Sequence, residues 1–118
     1  MNSFTLKNNH LHVEKRALAD IAREFSTPCY VYSKDALTQA FNNFSAGFAD
    51  CRHLVCFAVK ANPSLAILNL FAKLGAGFDI VSGGELARVI AAGGDPAKIV
   101  FSGVGKTEAE MRAALAAG

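Results

Sequence analysis

The chain has 118 residues, of which 52% are hydrophobic and 19% are charged, and its formal net charge is +2. This length is sufficient for one small domain with a hydrophobic core. The weak, dispersed charge argues against nucleic acid or an anionic membrane as a partner, and no apolar run is long enough to span a bilayer.

Three cysteines, Cys29, Cys51 and Cys56, form no Cys-x-x-Cys pair. An odd number without this spacing predicts neither a disulfide framework nor a zinc ribbon. The N-terminus lacks the apolar core of a signal peptide, so we expect reduced thiols in a cytoplasmic protein. No metal site is predicted, although a two-histidine site at His10 and His12, on one face of a strand, is an alternative.

The chain begins with a predicted hairpin over residues 4–13, which turns at Lys7-Asn8-Asn9-His10. A helix over residues 17–25 follows, and Thr27-Pro28 ends it.

Beyond residue 28, apolar runs alternate with segments of helical periodicity. Strands are predicted at 29–32, 54–60, 78–81 and 98–102, and helices at 34–48, 63–74, 83–92 and 107–117. Repeated strand–helix units indicate an α/β fold with parallel strands. Four such units do not close an eight-stranded barrel, and the chain stops after a helix. We therefore expect the N-terminal part of a longer protein, with a complete small open sheet as the alternative.

Several helix ends carry clear signals. Asn62-Pro63 predicts an N-cap followed by proline at the first helical position, and residues 82–85 and 107–110 fit the capping box. Gly75 and Gly93 stand where helix C-caps are expected.

Lys60 closes the apolar run 54–60 and is followed by Asn62-Pro63, which ends a strand. The sequence thus predicts an amine at the C-terminal end of a buried strand, and a desolvated amine can form a Schiff base with a carbonyl compound. Ala58 is predicted to face the same side and to leave room for a flat ring. The alternative is a structural lysine that extends into solvent.

Asp79 lies inside the predicted strand 78–81, where a carboxylate needs a partner because an unpaired buried charge is costly. One role for it is a structural hydrogen bond to a nearby backbone turn.

Two glycine-rich segments suggest phosphate sites. Ser82-Gly83-Gly84-Glu85 opens a helix, where phosphate can bind, but we interpret it as a capped helix start. Residues 103–107 include Gly-Lys-Thr, yet the earlier glycine of a phosphate loop is replaced by Val100. Lys106 is predicted either at the rim of a pocket or in solvent.

Three segments together carry a resemblance to a known family. They are Phe57-Ala-Val-Lys60-Ala-Asn-Pro63, Gly75-Ala-Gly-Phe-Asp79-Ile-Val-Ser-Gly-Gly-Glu-Leu86 and Lys98-Ile-Val-Phe-Ser-Gly-Val-Gly-Lys-Thr107. In this order and spacing they resemble the diaminopimelate decarboxylase family of barrel-fold amino-acid decarboxylases, over most of the chain.

The resemblance implies a partial (β/α)8 barrel of the alanine racemase and decarboxylase type. Residues 28–118 would form its first four strand–helix units. Residues 1–27, the hairpin and first helix, would join a β-domain built mainly from the C-terminal half.

It also implies pyridoxal 5'-phosphate as cofactor, held as a Schiff base by Lys60, with Ala58 and Asp79 beside it. Asp79 would then be a pocket carboxylate that holds the Lys60 ammonium when substrate displaces the lysine. The implied reaction is decarboxylation of meso-diaminopimelate to L-lysine and CO2 by a homodimer.

The remaining parts of such a site, including its phosphate loop, would lie beyond residue 118, so we expect the 118-residue chain alone to be inactive. One alternative is a related enzyme on the same fold, either a decarboxylase of ornithine, arginine or carboxynorspermidine or an amino-acid racemase. Another is a non-catalytic cofactor-binding module.

Overall fold

The computed structural model of the chain describes residues 3–118. Met1 and Asn2, the start of the predicted segment 1–27, lie outside the described residues. The chain divides into two compact units, Met1–Ala46 and Gly47–Gly118.

The first unit contains a small antiparallel sheet whose strands pair in chain order. These strands are β1 (Phe4–Lys7), β2 (His10–Val13) and β3 (Arg16–Ala17). Asn8 and Asn9, with φ of 51° and 61°, form the two-residue turn between β1 and β2. The predicted hairpin is confirmed, whereas β3 was not predicted.

Two helices complete the first unit, and both were predicted from the sequence. Helix α1 is Leu18–Phe25 and helix α2 is Lys34–Ala46. The predicted strand 29–32 between them is wrong, because these residues form no regular structure. An apolar run becomes a strand only when its backbone groups pair with a neighbouring strand, and residues 29–32 have no such pairing within residues 3–118.

Glu14 connects the hairpin to the start of α2. Its Oε1 accepts hydrogen bonds from the Ser33 hydroxyl (2.8 Å) and the Asp35 backbone N–H (3.0 Å). Ser33 in turn accepts from the Ala36 N–H at 3.0 Å, as an N-cap does. The Asp35 N–H, followed by the Ser33 hydroxyl, lowers the pKa of Glu14, so the ionised carboxylate is the form that this connection stabilises.

The second unit consists of three parallel strands, each followed by a helix. The strands β4 (Cys56–Ala58), β5 (Gly77–Ile80) and β6 (Ile99–Phe101) alternate with α3 (Leu65–Lys73), α4 (Gly83–Ala91) and α5 (Glu108–Ala117). The strands pair in chain order, as successive strands of a (β/α)8 barrel do. The predicted α/β class is therefore confirmed, with three strand–helix units formed rather than four.

The core of the second unit lies between this sheet and two of its helices. Its largest fully buried side chains belong to Phe78, Leu68, Ile80, Val59 and Val89. Helix α3 contributes Ile67, Leu68 and Phe71, and helix α4 contributes Leu86 and Val89. The sequence predicts these residues on apolar helix stripes, together with Leu74 and Ile90. The structure leaves Leu74 half-buried and Ile90 exposed.

The structure corrects one predicted helix start. Helix α3 begins after Ser64 rather than at Asn62-Pro63, and the Asn62 side chain instead accepts the Ser64 N–H at 3.1 Å. The two C-terminal glycine signals are confirmed, because Gly75 and Gly93 follow the C-caps of α3 and α4 with φ of 85° and 81°. Across residues 3–118, every helix is too short or too polar to cross a bilayer.

Candidate active site

The carboxyl ends of the three parallel strands lie at one edge of the second unit's sheet. Three polar residues follow directly beyond this edge. Lys60 lies in the 3-10 turn Val59–Ala61 after β4, Ser82 precedes α4, and Ser102 follows β6. In parallel sheets of this kind, loops at the carboxyl edge are where catalytic side chains gather.

The two faces of the sheet differ in their side chains. On one face Phe78 pairs with Phe57 and Ile99, and the Phe57 ring stacks on Phe71 of α3 with 4.4 Å between ring centroids. On the other face Asp79 pairs with Ala58 and Val100. Asp79 and Ala58 are half-buried and Val100 is exposed, so the face that carries Asp79 is the more open one.

The sequence predicted Lys60 as the last residue of a strand, but the strand ends two residues before it. Strand β4 stops at Ala58, and the buried residue of the turn is Val59, whereas Lys60 is exposed. The prediction that Lys60 continues the alternation of a buried strand is therefore wrong, because a 3-10 turn does not keep the two-residue period. Within residues 3–118, no hydrogen bond or ion pair engages the Lys60 amine.

Asp79 lies in β5, within the predicted strand, and its partner is a side chain rather than a backbone turn. The Ser102 hydroxyl donates to Asp79 Oδ1 at 2.5 Å. The sequence did not single out Ser102. Strand alternation places Ser102 on the face of Val100, and Val100 pairs with Asp79, but pairing across strands cannot be deduced from local sequence.

Cys56 shares the open face with Asp79, two residues before Ala58 on β4. It pairs with Gly77 of β5. Burial, and after it the negative charge of Asp79, raises the pKa of the Cys56 thiol. All three cysteines are free, and Cys29 and Cys51 are exposed, so the most shielded thiol is the one at the sheet.

Side-chain oxygens accept three of the backbone N–H groups around the start of α4. Ser82 Oγ accepts the Glu85 N–H at 3.2 Å, and Glu110 of α5 accepts the Gly83 N–H at 2.8 Å. Glu85 accepts the Val81 N–H at 2.8 Å. The interpretation of this segment as a capped helix start is confirmed, since the Ser82 side chain caps α4 and Glu110 occupies the Gly83 N–H.

Glu110 also completes the predicted capping box of α5. Its Oε2 accepts the Thr107 N–H at 2.8 Å, and its own N–H donates to Thr107 Oγ1 at 3.2 Å. The Gly83 N–H, followed by the Thr107 N–H and hydroxyl, lowers the pKa of Glu110. This one carboxylate therefore links the starts of two helices at the carboxyl edge.

Lys106 lies against the loop after β6. Its Nζ donates to the Gly103 carbonyl at 2.8 Å and lies 5.7 Å from the centroid of the Phe101 ring. In residues 3–118, no group of three or more histidine, cysteine, aspartate or glutamate side chains is arranged to hold a metal ion.

Known proteins resemble this chain in both sequence and structure. Residues 34–118 match the family described as pyridoxal-dependent decarboxylase, pyridoxal binding domain. The diaminopimelate decarboxylase of Pseudomonas aeruginosa is 55% identical over 118 residues, which are 100% of this chain and 28% of that protein. The enzyme of the same name from Neisseria meningitidis serogroup A is 63% identical over 98 residues, covering 83% of this chain and 24% of its own length.

Among solved structures, the diaminopimelate decarboxylase of M. jannaschii in complex with L-lysine has a TM-score of 0.93 at 33% identity, over 98% of this chain and 28% of that one. The chain thus spans about a quarter of the length of the relatives that it matches. Its parallel sheet and helices share the fold of these proteins and agree with the partial barrel that the sequence predicted. The chain belongs to the pyridoxal-dependent decarboxylase family, and residues 34–118 match the family's pyridoxal-binding domain.

Proposed function

We propose that the protein carrying this chain holds pyridoxal 5'-phosphate on Lys60 and decarboxylates meso-diaminopimelate to L-lysine and CO2. The observation that carries this proposal is the position of Lys60. It is an exposed lysine whose amine has no partner within the described residues, directly beyond the carboxyl edge of β4. A lysine that must react with a carbonyl carbon needs its amine accessible, and the carboxyl edge of a parallel sheet is where catalytic side chains gather.

The residues around Lys60 fit a flat aromatic cofactor. The open face of the sheet carries the small side chain of Ala58 at the end of β4, and the large rings of Phe57 and Phe78 point to the opposite face. Lys60 would hold the cofactor covalently as a Schiff base, and Ala58 and Asp79 would line its position. When bound, the pyridoxal ring supplies an electron sink for the carbanion that loss of CO2 creates.

The chain's own groups would have distinct tasks in this reaction. Lys60 would bind and release the cofactor and move protons at its Nζ. Asp79 would provide a negative charge for the Lys60 ammonium whenever the lysine is not attached, which lowers the free energy of that charged state.

The choice of substrate is supported by the relatives. The proteins at 55% and 63% identity are both diaminopimelate decarboxylases, and the M. jannaschii structure contains L-lysine. We further propose that the protein is a cytoplasmic homodimer and that residues 1–27 join a β-domain, for which the resemblance in the sequence is the support. Sedimentation equilibrium of the intact gene product would test the dimer.

The experiment compares the intact gene product with its Lys60→Ala variant. We expect the wild type to release CO2 from meso-diaminopimelate and to form L-lysine, and a borohydride-reduced cofactor adduct to map to the peptide that contains Lys60. Lys60→Ala should lose both properties. Lys73→Ala is the matched control, because Lys73 is an exposed lysine in the last turn of α3, and it should retain both.

Two results would contradict the proposal. Turnover by Lys60→Ala at the wild-type rate would show that another group holds the cofactor. Formation of a polyamine from ornithine or arginine, or of a D-amino acid, without lysine formation would assign the protein to a different reaction on the same fold.

A further inference from the structure

We propose that Ser102 is a positioning residue that fixes the Asp79 carboxylate for its task beside Lys60; this inference rests on the proposed function. The hydroxyl of Ser102 donates to Asp79 Oδ1 at 2.5 Å, at the short end of the range for O–H···O hydrogen bonds. Serine hydroxyls at strand ends have no general need of a carboxylate partner, since water or a backbone carbonyl can satisfy them.

The backbone holds Ser102 firmly in place. Its N–H donates to the Ile80 carbonyl at 2.9 Å, which extends the pairing of β5 and β6 one residue beyond β6. Asp79 pairs with Val100, so Ser102 is its diagonal neighbour on the same face, toward the carboxyl edge. The position of the hydroxyl therefore follows from the sheet itself and depends on a single side-chain rotation.

The hydrogen bond from Ser102 engages only one of the two carboxylate oxygens of Asp79. Within residues 3–118, Asp79 Oδ2 has no hydrogen-bond donor, so it is available to a cation at the carboxyl edge. The last side-chain torsion of an aspartate is broad and roughly two-fold, and without a fixed donor the carboxylate would rotate between orientations. Ser102 selects one of them.

Asp79 lies between β4 and β6, because it pairs with Ala58 on one side and Val100 on the other. It contributes, after burial, to the raised pKa of Cys56 on β4. Lys60 lies in the 3-10 turn that follows this same strand. The carboxylate thus lies between the strand that presents the lysine and the residue that fixes its orientation.

The test measures whether Ser102 acts through Asp79. In the intact gene product, Ser102→Ala should lower kcat for diaminopimelate about tenfold, the effect expected from one charge-assisted hydrogen bond, and leave KM within about twofold. It should also slow the uptake of pyridoxal phosphate by the apo-protein, measured by absorbance. In an Asp79→Ala background the same change should have no further effect on either quantity.

Two controls separate this role from a structural one. Ser64→Ala removes an exposed hydroxyl that makes no capping hydrogen bond, and it should behave as the wild type. Ser102→Thr and Ser102→Val have nearly the same shape and differ in the hydroxyl, so Thr should retain most of the activity and Val should not. This pair remains informative if Ser102→Ala unfolds.

The inference is overturned if Ser102→Ala keeps the wild-type kcat, if Thr and Val are equally impaired, or if Ser102→Ala and Asp79→Ala have fully additive effects. The Lys60→Ala result separates these outcomes from a failure of the proposed function. If Lys60→Ala abolishes turnover while Ser102→Ala has no effect, the function stands and the role of Ser102 does not.

Discussion

Replacing Gly77 with alanine should destabilise the second unit, because the strands of its sheet leave no space for a side chain at this position. A Cβ on Gly77 would lie 2.5 Å from the Lys98 carbonyl oxygen and 2.7 Å from Cys56 Sγ. Ordinary van der Waals contact with a Cβ begins at 3.4 Å, so the Lys98 carbonyl would have to retreat by about 0.9 Å. The Gly77 N–H is bonded to the Val55 carbonyl at 2.9 Å on the opposite side.

The expected loss of stability is at the upper end of the range for an inserted methyl group. The reason is that the Lys98 carbonyl belongs to the backbone and cannot rotate away as a side chain can. Overpacking of this kind lowers the free energy of unfolding by about 3 kcal/mol. With a urea dependence of about 2 kcal/mol per molar, the unfolding midpoint should fall by about 1.5 M. Urea titration followed by circular dichroism measures this shift.

Gly84→Ala is the matched control. Gly84 lies in the first turn of α4, and the nearest heavy atom to its Cβ would be Ser82 Oγ at 3.8 Å. Alanine should therefore stabilise the protein by about 0.5 kcal/mol, because it lowers the conformational entropy of the unfolded chain. If Gly77→Ala unfolded at the wild-type midpoint, β5 would have room that the structure does not show, and the argument from close strand spacing would be refuted.

Two further predictions concern titratable groups of the second unit. Cys56 should react with iodoacetamide at pH 8 more slowly than the two exposed cysteines, because its pKa is raised and it is half-buried; equal rates by peptide mass spectrometry would contradict this. Glu110→Gln should remove stability that depends on the carboxylate. The Gly83 and Thr107 donors lower the pKa of Glu110, so its contribution is fully present above the unfolded value of about 4.3 and is lost as pH falls through the lower folded value. Unfolding midpoints of the two proteins should thus differ at pH 7 and converge in acid, and a constant difference would count against the assignment.

The sequence predicted the helices better than the strands, and the reason is physical. Helix α5 has its start marked by a local capping box at Thr107, and α3 and α4 end at glycines that adopt positive φ. These signals involve residues a few positions apart. Residues 29–32 and the ends of the run 54–60 have equally apolar sequences, but whether they form a strand depends on a partner that is distant in sequence.

The same difference explains which parts of the candidate site were predictable. Lys60 and Asp79 were found because a charged residue is unusual beside or within an apolar run. Ser102 was not found, because a serine after a strand is common and its significance comes from the register of β5 against β6. The position of Lys60 in a turn rather than in the strand was also missed, since the change to 3-10 geometry begins at Val59, a residue that favours strands.

Strand alternation allows a buried sheet to carry a charge at its carboxyl edge. In β5 the consecutive residues Phe78 and Asp79 face opposite sides, so the ring fills the core under the helices while the carboxylate remains on the open face. A shift of one residue in register would exchange them and bury a charge against α3 and α4. Folding itself therefore selects the register that places Asp79 next to Ser102. The stability of the core and the geometry of the candidate site depend on the same alternation, which is why a single methyl group on Gly77, two residues before Asp79, should disturb both.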